Sequence, residues 1–175
     1  MSSGTVMKEN FYNENSLYQK TLNYGVTPQL IAAAAAVSSQ LPATSHVVIS
    51  DLGCSQGANS QQPVSNLIQE LRRNSSSSAV AVSIYHVDQP SNDFNSLFKV
   101  LESTDTSYLR QHPHNVFVYA QGKSFYEQLS APGSVHISFC LNSIHWLSRK
   151  PKLTCASLFP RCDAVLEEDS RGNLS

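Results

Sequence analysis

The stretch that decides the fold is His46-Val-Val-Ile-Ser-Asp-Leu-Gly-Cys-Ser-Gln-Gly57. Its first seven residues are rich in apolar β-branched side chains, which is typical of a short buried strand in a parallel sheet. A G-x-x-x-G turn from Gly53 to Gly57 follows, and apolar residues then recur at helical spacing over residues 62–73. The sequence therefore predicts a strand, a glycine turn and a helix in that order.

Three further strands are expected downstream of this unit, over residues 79–87, 116–120 and 135–141. Between the first two, a turn at residues 90–93 leads into a helix with apolar side chains on one face. Strands that alternate with helical stretches predict an α/β fold with a parallel sheet and right-handed crossovers.

The regions on either side of the strands differ from them and from each other. Residues 10–40 are expected to be mostly helical, with Pro28 in a first turn ahead of an alanine-rich run. The stretch from Pro151 to Ser175 is polar and predicts a divergent, disordered tail. We therefore expect three parts: an N-terminal helical segment at 1–45 that contacts substrate and cofactor, a partial Rossmann-like domain at 46–150, and the tail at 151–175.

Composition excludes several classes of protein. Hydrophobic residues make up 41% and charged residues 14% of the chain, as in a folded globular domain. A net charge of −1 argues against a nucleic-acid binder. No apolar run reaches the roughly 20 residues that span a bilayer, and the N-terminus lacks a secretory signal. We expect no membrane partner and a cytoplasmic location.

The four cysteines form no C-x-x-C pair, which favours free thiols. Cys155 and Cys162 together with His112 and His114 are the alternative, a zinc site. Their spacing matches none of the common zinc patterns, so no metal site is predicted.

Two elements indicate a nucleoside-type ligand. The glycine turn lets the backbone approach a ligand closely, and Asp51 beside it suits a cationic group such as the sulfonium or ammonium of S-adenosylmethionine. Asp88 follows the second strand, where a carboxylate can accept hydrogen bonds from ribose hydroxyls. Alone, the glycine loop is equally compatible with an ordinary turn after a strand, and Asp88 alone favours a helix-capping or turn aspartate; the two together reinforce the nucleoside interpretation. The pattern is neither G-x-G-x-x-G nor a Walker A sequence, which disfavours a nicotinamide-dependent oxidoreductase and a nucleoside triphosphate site.

Five segments then resemble, in order, the motifs of the SABATH-type S-adenosylmethionine-dependent carboxyl methyltransferases, with a leaning towards the microbial-type branch. They are Phe11-Tyr-Asn-Glu-Asn-Ser-Leu-Tyr-Gln19, Asp51-Leu-Gly-Cys-Ser-Gln-Gly-Ala-Asn59, Asp88-Gln-Pro-Ser-Asn-Asp-Phe-Asn95, Gly122-Lys-Ser-Phe-Tyr126 and Ser143-Ile-His-Trp-Leu-Ser148. The resemblance implies the Rossmann-like fold of S-adenosylmethionine-dependent methyltransferases, truncated after about the fourth strand, with an N-terminal helical segment.

The resemblance also implies residue roles. Asp51 would lie near the methionine end of the cofactor, Asp88 would bind the ribose, and Ser124 and Phe125 would flank the adenine. The remaining cofactor positions would be Tyr12, Ser16, Gly53, Gly57, Asn59 and Gln89. Gln19, Trp146 and His145 would position the substrate carboxylate; for Trp146, His145 and Phe125, ordinary core packing is the alternative.

The implied reaction transfers a methyl group to the carboxylate of a small organic acid. That carboxylate is already ionised at neutral pH, so alignment with the methyl donor replaces a general base. Family members are much longer, which leaves a second hypothesis, a non-catalytic remnant or isoform with weak or no cofactor binding. Gln89 and Lys123 also depart from the family pattern. A full-length chain is compatible with a homodimer.

Overall fold

The computed structural model of the chain describes residues 17–42, 45–73, 80–141 and 143, and for residues 17–24 the backbone only. The described part contains four helices and four strands. In chain order they are α1 (Leu17–Gln40), β1 (His46–Leu52), α2 (Gln61–Leu71), β2 (Ala81–Asp88), α3 (Phe94–Ser103), α4 (Tyr108–Gln111), β3 (Val116–Gly122) and β4 (Ile137–Phe139).

The four strands form one parallel sheet in the order β3-β2-β1-β4. β1 lies inside the sheet, with β2 and then β3 on one side and β4 on the other. The strand order therefore changes direction at β1, and ligands of such sheets bind outside the carboxyl ends of the strands at that point. This arrangement confirms the predicted α/β class and the Rossmann-like fold.

One face of the sheet, here called the inner face, packs against the helices. On it Ile49 pairs in register with Ile84 and with Ile137, and all three side chains are buried. Val64, Leu67, Ile68 and Leu71 recur at helical spacing on α2 and belong to the same core. Leu30 and Ala34 of α1 join it, so the N-terminal helix and the strands share one core.

The opposite, outer face becomes exposed towards β3. Phe117 and Tyr119 point to this face and are exposed, and the Tyr119 ring stacks on that of Tyr85 with centroids 4.8 Å apart. Large exposed aromatic side chains on one face and a buried core on the other make the two sides of β3 unequal.

Several predicted details need correction. Pro28 lies inside α1 and not in a first turn. Proline gives up the hydrogen bond to the carbonyl four residues back, but Pro28 is exposed, and the buried Leu30 and Ala34 hold the following turns of the helix in the core. β4 is shorter than the predicted strand at 135–141, and α4 was not predicted at all. None of the described helices is long and apolar enough to cross a membrane.

Candidate cofactor site

The glycine loop after β1 adopts backbone angles that favour glycine. Gly53 and Gly57 have φ values of 78° and 80°. A side chain at Gly53 would collide with Ser143, which follows β4, and would meet the ring of Phe125. A side chain at Gly57 would run into the buried Leu97 of α3. Both glycines are therefore required by angle and by space.

The loop is anchored to the end of β2. The Gly53 amide donates to the Val87 carbonyl at 2.8 Å, and the Ser55 amide donates to the Asp88 carboxylate at 2.7 Å. Asn92 completes the anchor, because its side-chain amide donates to the Ser55 carbonyl at 2.8 Å. Ser55 itself has a φ of 49°, an uncommon value for a residue with a side chain. These bonds on both sides of Ser55 hold it in that conformation.

Asp88 is half-buried and has both carboxylate oxygens engaged. Oδ2 accepts from the Ser55 amide, and Oδ1 accepts from the amide of Gln89 at 2.8 Å. A carboxylate oxygen has two lone pairs, so each retains the capacity to accept from a ligand hydroxyl. The side chain of Gln89 is exposed beside it. Asp88 therefore combines a link to the loop with an acceptor suited to a diol.

Asp51 is buried within a chain of hydrogen bonds beneath the loop. Its Oδ2 accepts from Ser60 Oγ at 2.5 Å and lies 2.8 Å from Nδ1 of His86. Nε2 of His86 lies 2.8 Å from the hydroxyl of Tyr108. His86 and Tyr108 are fully buried. Burial, followed by the nearby Asp51, raises the pKa of Tyr108, so the phenol keeps its proton.

The environment of the Cys54 thiol disfavours its reactive thiolate form. Cys54 is buried, and burial first, then the negative charges of Asp51 and Asp88, raise the pKa of its thiol. A nucleophilic cysteine needs a thiolate, which this environment disfavours. Cys54 and Cys140 are both free in the described part of the chain.

The loop after β3 brings the predicted adenine-side residues to the same edge. The Lys123 amide donates to the Asp88 carbonyl at 2.8 Å, which extends the pairing of β2 and β3. Lys123 Nζ donates to the Gln128 carbonyl at 2.7 Å and lies 3.6 Å from a Glu127 carboxylate oxygen. The Phe125 ring stands near Gly53, and Ser124 Oγ accepts from the Tyr126 amide at 3.3 Å. Lys123 therefore closes its own loop.

The structure brings together the larger part of the predicted cofactor set. Asp51, Gly53, Gly57, Asn59, Asp88, Gln89, Ser124 and Phe125 all lie at or just beyond the carboxyl ends of β1, β2 and β3. Tyr12 and Ser16 lie outside the described residues, as do His145 and Trp146. Gln19 belongs to α1, but its side chain is outside the description.

Five contributing residues were not predicted from the sequence: Ser60, His86, Asn92, Tyr108 and Ser143. The signal for His86 was available, since it is a titratable residue on the same strand face as the apolar Val82 and Ile84. Tyr108 gave no such signal, because its helix has four residues and lies far from Asp51 in the chain.

For the zinc alternative, His112 and His114 are described whereas Cys155 and Cys162 are not. Within residues 17–42, 45–73, 80–141 and 143, no three His, Cys, Asp or Glu side chains gather as metal ligands. His112 lies 3.1 Å from Ser65 Oγ, a contact with α2.

The chain is similar to known methyltransferases. A family model described as SAM-dependent carboxyl methyltransferase matches residues 1–162. Gibberellic acid methyltransferase 2 of Arabidopsis thaliana is 31% identical over 130 residues, which are 71% of this chain and 30% of that protein. Methyltransferase FUS9 of Gibberella moniliformis is 29% identical over 144 residues, which are 82% and 38% of the two chains.

A solved structure, loganic acid methyltransferase with SAH, matches with a TM-score of 0.66 at 24% identity, over 81% of this chain and 39% of that one. This likeness supports the fold. The chain spans between 30% and 44% of the length of the curated relatives it matches. The relatives include plant and fungal proteins, and the microbial-type branch stays a prediction.

The match of the family model over most of the chain, together with the glycine loop, the acid at the end of β2 and the sheet order, leads to one conclusion. This chain belongs to the family of SAM-dependent carboxyl methyltransferases.

Proposed function

We propose that this chain carries the S-adenosylmethionine-binding part of a methyltransferase that acts on the carboxylate of a small organic acid. The observation that carries the proposal is the 2.7 Å hydrogen bond from the Ser55 amide to Asp88. It joins the glycine loop after β1 to the acid at the end of β2, and these are the two elements that a nucleoside site in such a sheet requires.

The chemistry of the edge fits a cationic nucleoside. Asp51 and Asp88 supply two carboxylates, and the neighbouring amine of Lys123 is occupied by Gln128 and Glu127. The glycine loop gives the backbone access that a side chain at Gly53 would block. Asp88 would accept from the ribose hydroxyls, Asp51 would face the methionine end, and Phe125 would pack on the adenine.

When bound, S-adenosylmethionine supplies an electrophilic methyl group on a positively charged sulfur. The task left to the protein is to hold a substrate carboxylate oxygen in line with that methyl group, and the carboxylate needs no base because it is already ionised. We assign this positioning to Gln19 and Trp146, with His145 beside them. Neutral amide and indole donors hold a carboxylate without the charge pairing that would weaken its attack.

Relatives named for gibberellic acid, salicylate or benzoate, and loganic acid support a small carboxylic acid as the substrate class. The second candidate is a non-catalytic form with weak or no cofactor binding. Cofactor titration separates the two.

Calorimetric titration of the chain with S-adenosylmethionine and with NAD tests the proposal. We expect S-adenosylmethionine to bind and NAD not to bind. Asp88→Ala should weaken binding by about 100-fold or more, since it removes charge-assisted hydrogen bonds of about 1.5–3 kcal/mol each. Asp105→Ala is the matched control, because that carboxylate is almost fully exposed and is not part of the proposed cofactor site.

Binding of NAD alone would contradict the proposal, and binding of neither ligand would favour the non-catalytic candidate. If S-adenosylmethionine binds, transfer of a labelled methyl group to a panel of small acids tests the activity. Trp146→Phe removes one N–H donor. It should raise the KM for the acid by a larger factor than it lowers the affinity for S-adenosylmethionine.

A further inference from the structure

With Asp51 as a carboxylate, a neutral His86 protonated at Nδ1 satisfies every member of the hydrogen-bond network beneath the glycine loop. A carboxylate can only accept, so Nδ1 of His86 carries a proton and donates to Asp51. In the neutral ring Nε2 is then an acceptor, and it accepts from the protonated hydroxyl of Tyr108.

This hydrogen-bond network stabilises the core no better than apolar side chains would. His86 and Tyr108 are fully buried among apolar residues, and apolar side chains of similar volume would stabilise such a position as well or better. Buried polar networks instead hold their members in one orientation when every group is satisfied. The group at the end of this network is a carboxylate two residues before Gly53.

A second connection couples the network to the loop. The side-chain amide of Gln61 donates to the Gly57 carbonyl at 2.8 Å, and its oxygen accepts from the Tyr108 amide at 3.4 Å. Ser60, the residue before Gln61, donates to Asp51. Tyr108 is therefore tied both to the carboxylate and to the loop that follows it.

We propose that His86 and Tyr108 are positioning residues, which fix the Asp51 carboxylate as the anchor for the cationic methionine end of S-adenosylmethionine. The inference rests on the proposed function. Both residues are expected to act without contacting the ligand. They act through Asp51, whereas the ribose depends on Asp88 and is independent of the network.

The test compares ligands that differ in the methionine end. Tyr108→Phe removes only the hydroxyl, and Ser60→Ala removes the other donor to Asp51. Ser60 precedes α2, but its side chain makes no capping hydrogen bond to that helix. The substitution therefore removes no helix-capping interaction. Tyr119→Phe removes the same atom from an exposed tyrosine and is the matched control.

We expect Tyr108→Phe and Ser60→Ala each to lower the affinity for S-adenosylmethionine by about fivefold. That factor corresponds to the loss of one buried hydrogen bond. Adenosine, which lacks the methionine end, should bind all variants within about twofold of the parent chain. Tyr119→Phe should change neither affinity. A purely structural role would weaken both ligands together, and that result would overturn the inference.

The protonation pattern gives a readout that needs no ligand. ¹⁵N spectra of the histidine rings, with His86 assigned from the signal lost in His86→Gln, should show a neutral ring protonated at Nδ1. A proton on Nε2 alone would overturn the inference, even if a binding variant failed to fold. If the parent chain binds neither S-adenosylmethionine nor adenosine, it is the proposed function that fails, and the two failures are distinguishable.

Discussion

Side chains on the inner face of β2 and on the outer face of β3 lie in different environments. On the inner face Ile84 and His86 are fully buried, whereas on the outer face Phe117 and Tyr119 are 48% and 44% exposed. The inner face holds the apolar core and, at its carboxyl end, the Asp51 network. Stability and cofactor chemistry are therefore concentrated on the same side of the sheet, where a change in packing also reaches the site.

The largest expected difference between the two faces comes from truncating one apolar side chain on each. Ile84→Ala should lower the free energy of unfolding by about 2–5 kcal/mol, because it leaves a cavity in a fully buried position. Phe117→Ala should change it by about 0.5 kcal/mol or less. Urea denaturation followed by circular dichroism measures both. A loss above about 2 kcal/mol for Phe117→Ala would show that the outer face is covered in solution.

Two glycines extend the comparison to the loops. Gly57→Ala combines a strained positive φ, about 1–2 kcal/mol, with a clash against buried Leu97, about 1–3 kcal/mol. Gly133→Ala carries a similar φ of 72° but meets nothing within 4 Å, so only the first cost applies. The difference between their unfolding free energies measures the packing of the glycine loop. Equal losses would mean that Leu97 moves aside freely.

The anchor at Ser55 should have a smaller effect on stability. Asn92→Ala removes one hydrogen bond to the Ser55 carbonyl and should cost about 1 kcal/mol. It should also lower the affinity for S-adenosylmethionine, because Ser55 loses one of the hydrogen bonds that keep its backbone at positive φ. Asn95→Ala, at an exposed position of α3, is the control for thermal unfolding and for titration. Unchanged cofactor affinity in Asn92→Ala would separate the anchor from binding.

The smallest expected effect is a pH dependence of folding stability that arises from His112. Burial, followed by the charge of Arg72, lowers the pKa of His112 from its ordinary 6.5, so the unfolded chain takes up the proton first. Stability should therefore fall as pH drops below about 6.5 and level off below the lowered folded pKa. His112→Gln should flatten urea midpoints between about pH 7.5 and 5.5. The same substitution at the exposed His114 should not; a flattening there would contradict the assignment.

Much of the sheet was predictable because its signals are local. A run of β-branched residues marks β1 and β2, the glycine spacing marks the turn, and Asp88 stands at the end of its apolar run in the sequence. Strand ends were less predictable, as the pairing partner decides how far a strand continues: β3 extends to Gly122 because Asp88 pairs with it. Pro28 was misjudged because local propensity ignores the core contacts that stabilise a long helix.

The site divides in the same way. The sequence by itself determined the family, the α/β class and the positions of Asp51 and Asp88, since each depends on residues close together in the chain. Only the tertiary structure decided that Asn92 holds Ser55, and that Asp51 is held by Ser60, His86 and Tyr108. His86 lies 35 positions from Asp51 and 22 from Tyr108 in the sequence. Hydrophobic periodicity predicts which face of one helix or strand is buried, but not which side chains on separate elements are in contact. The parallel register that sets Asp51 beside His86 makes that contact.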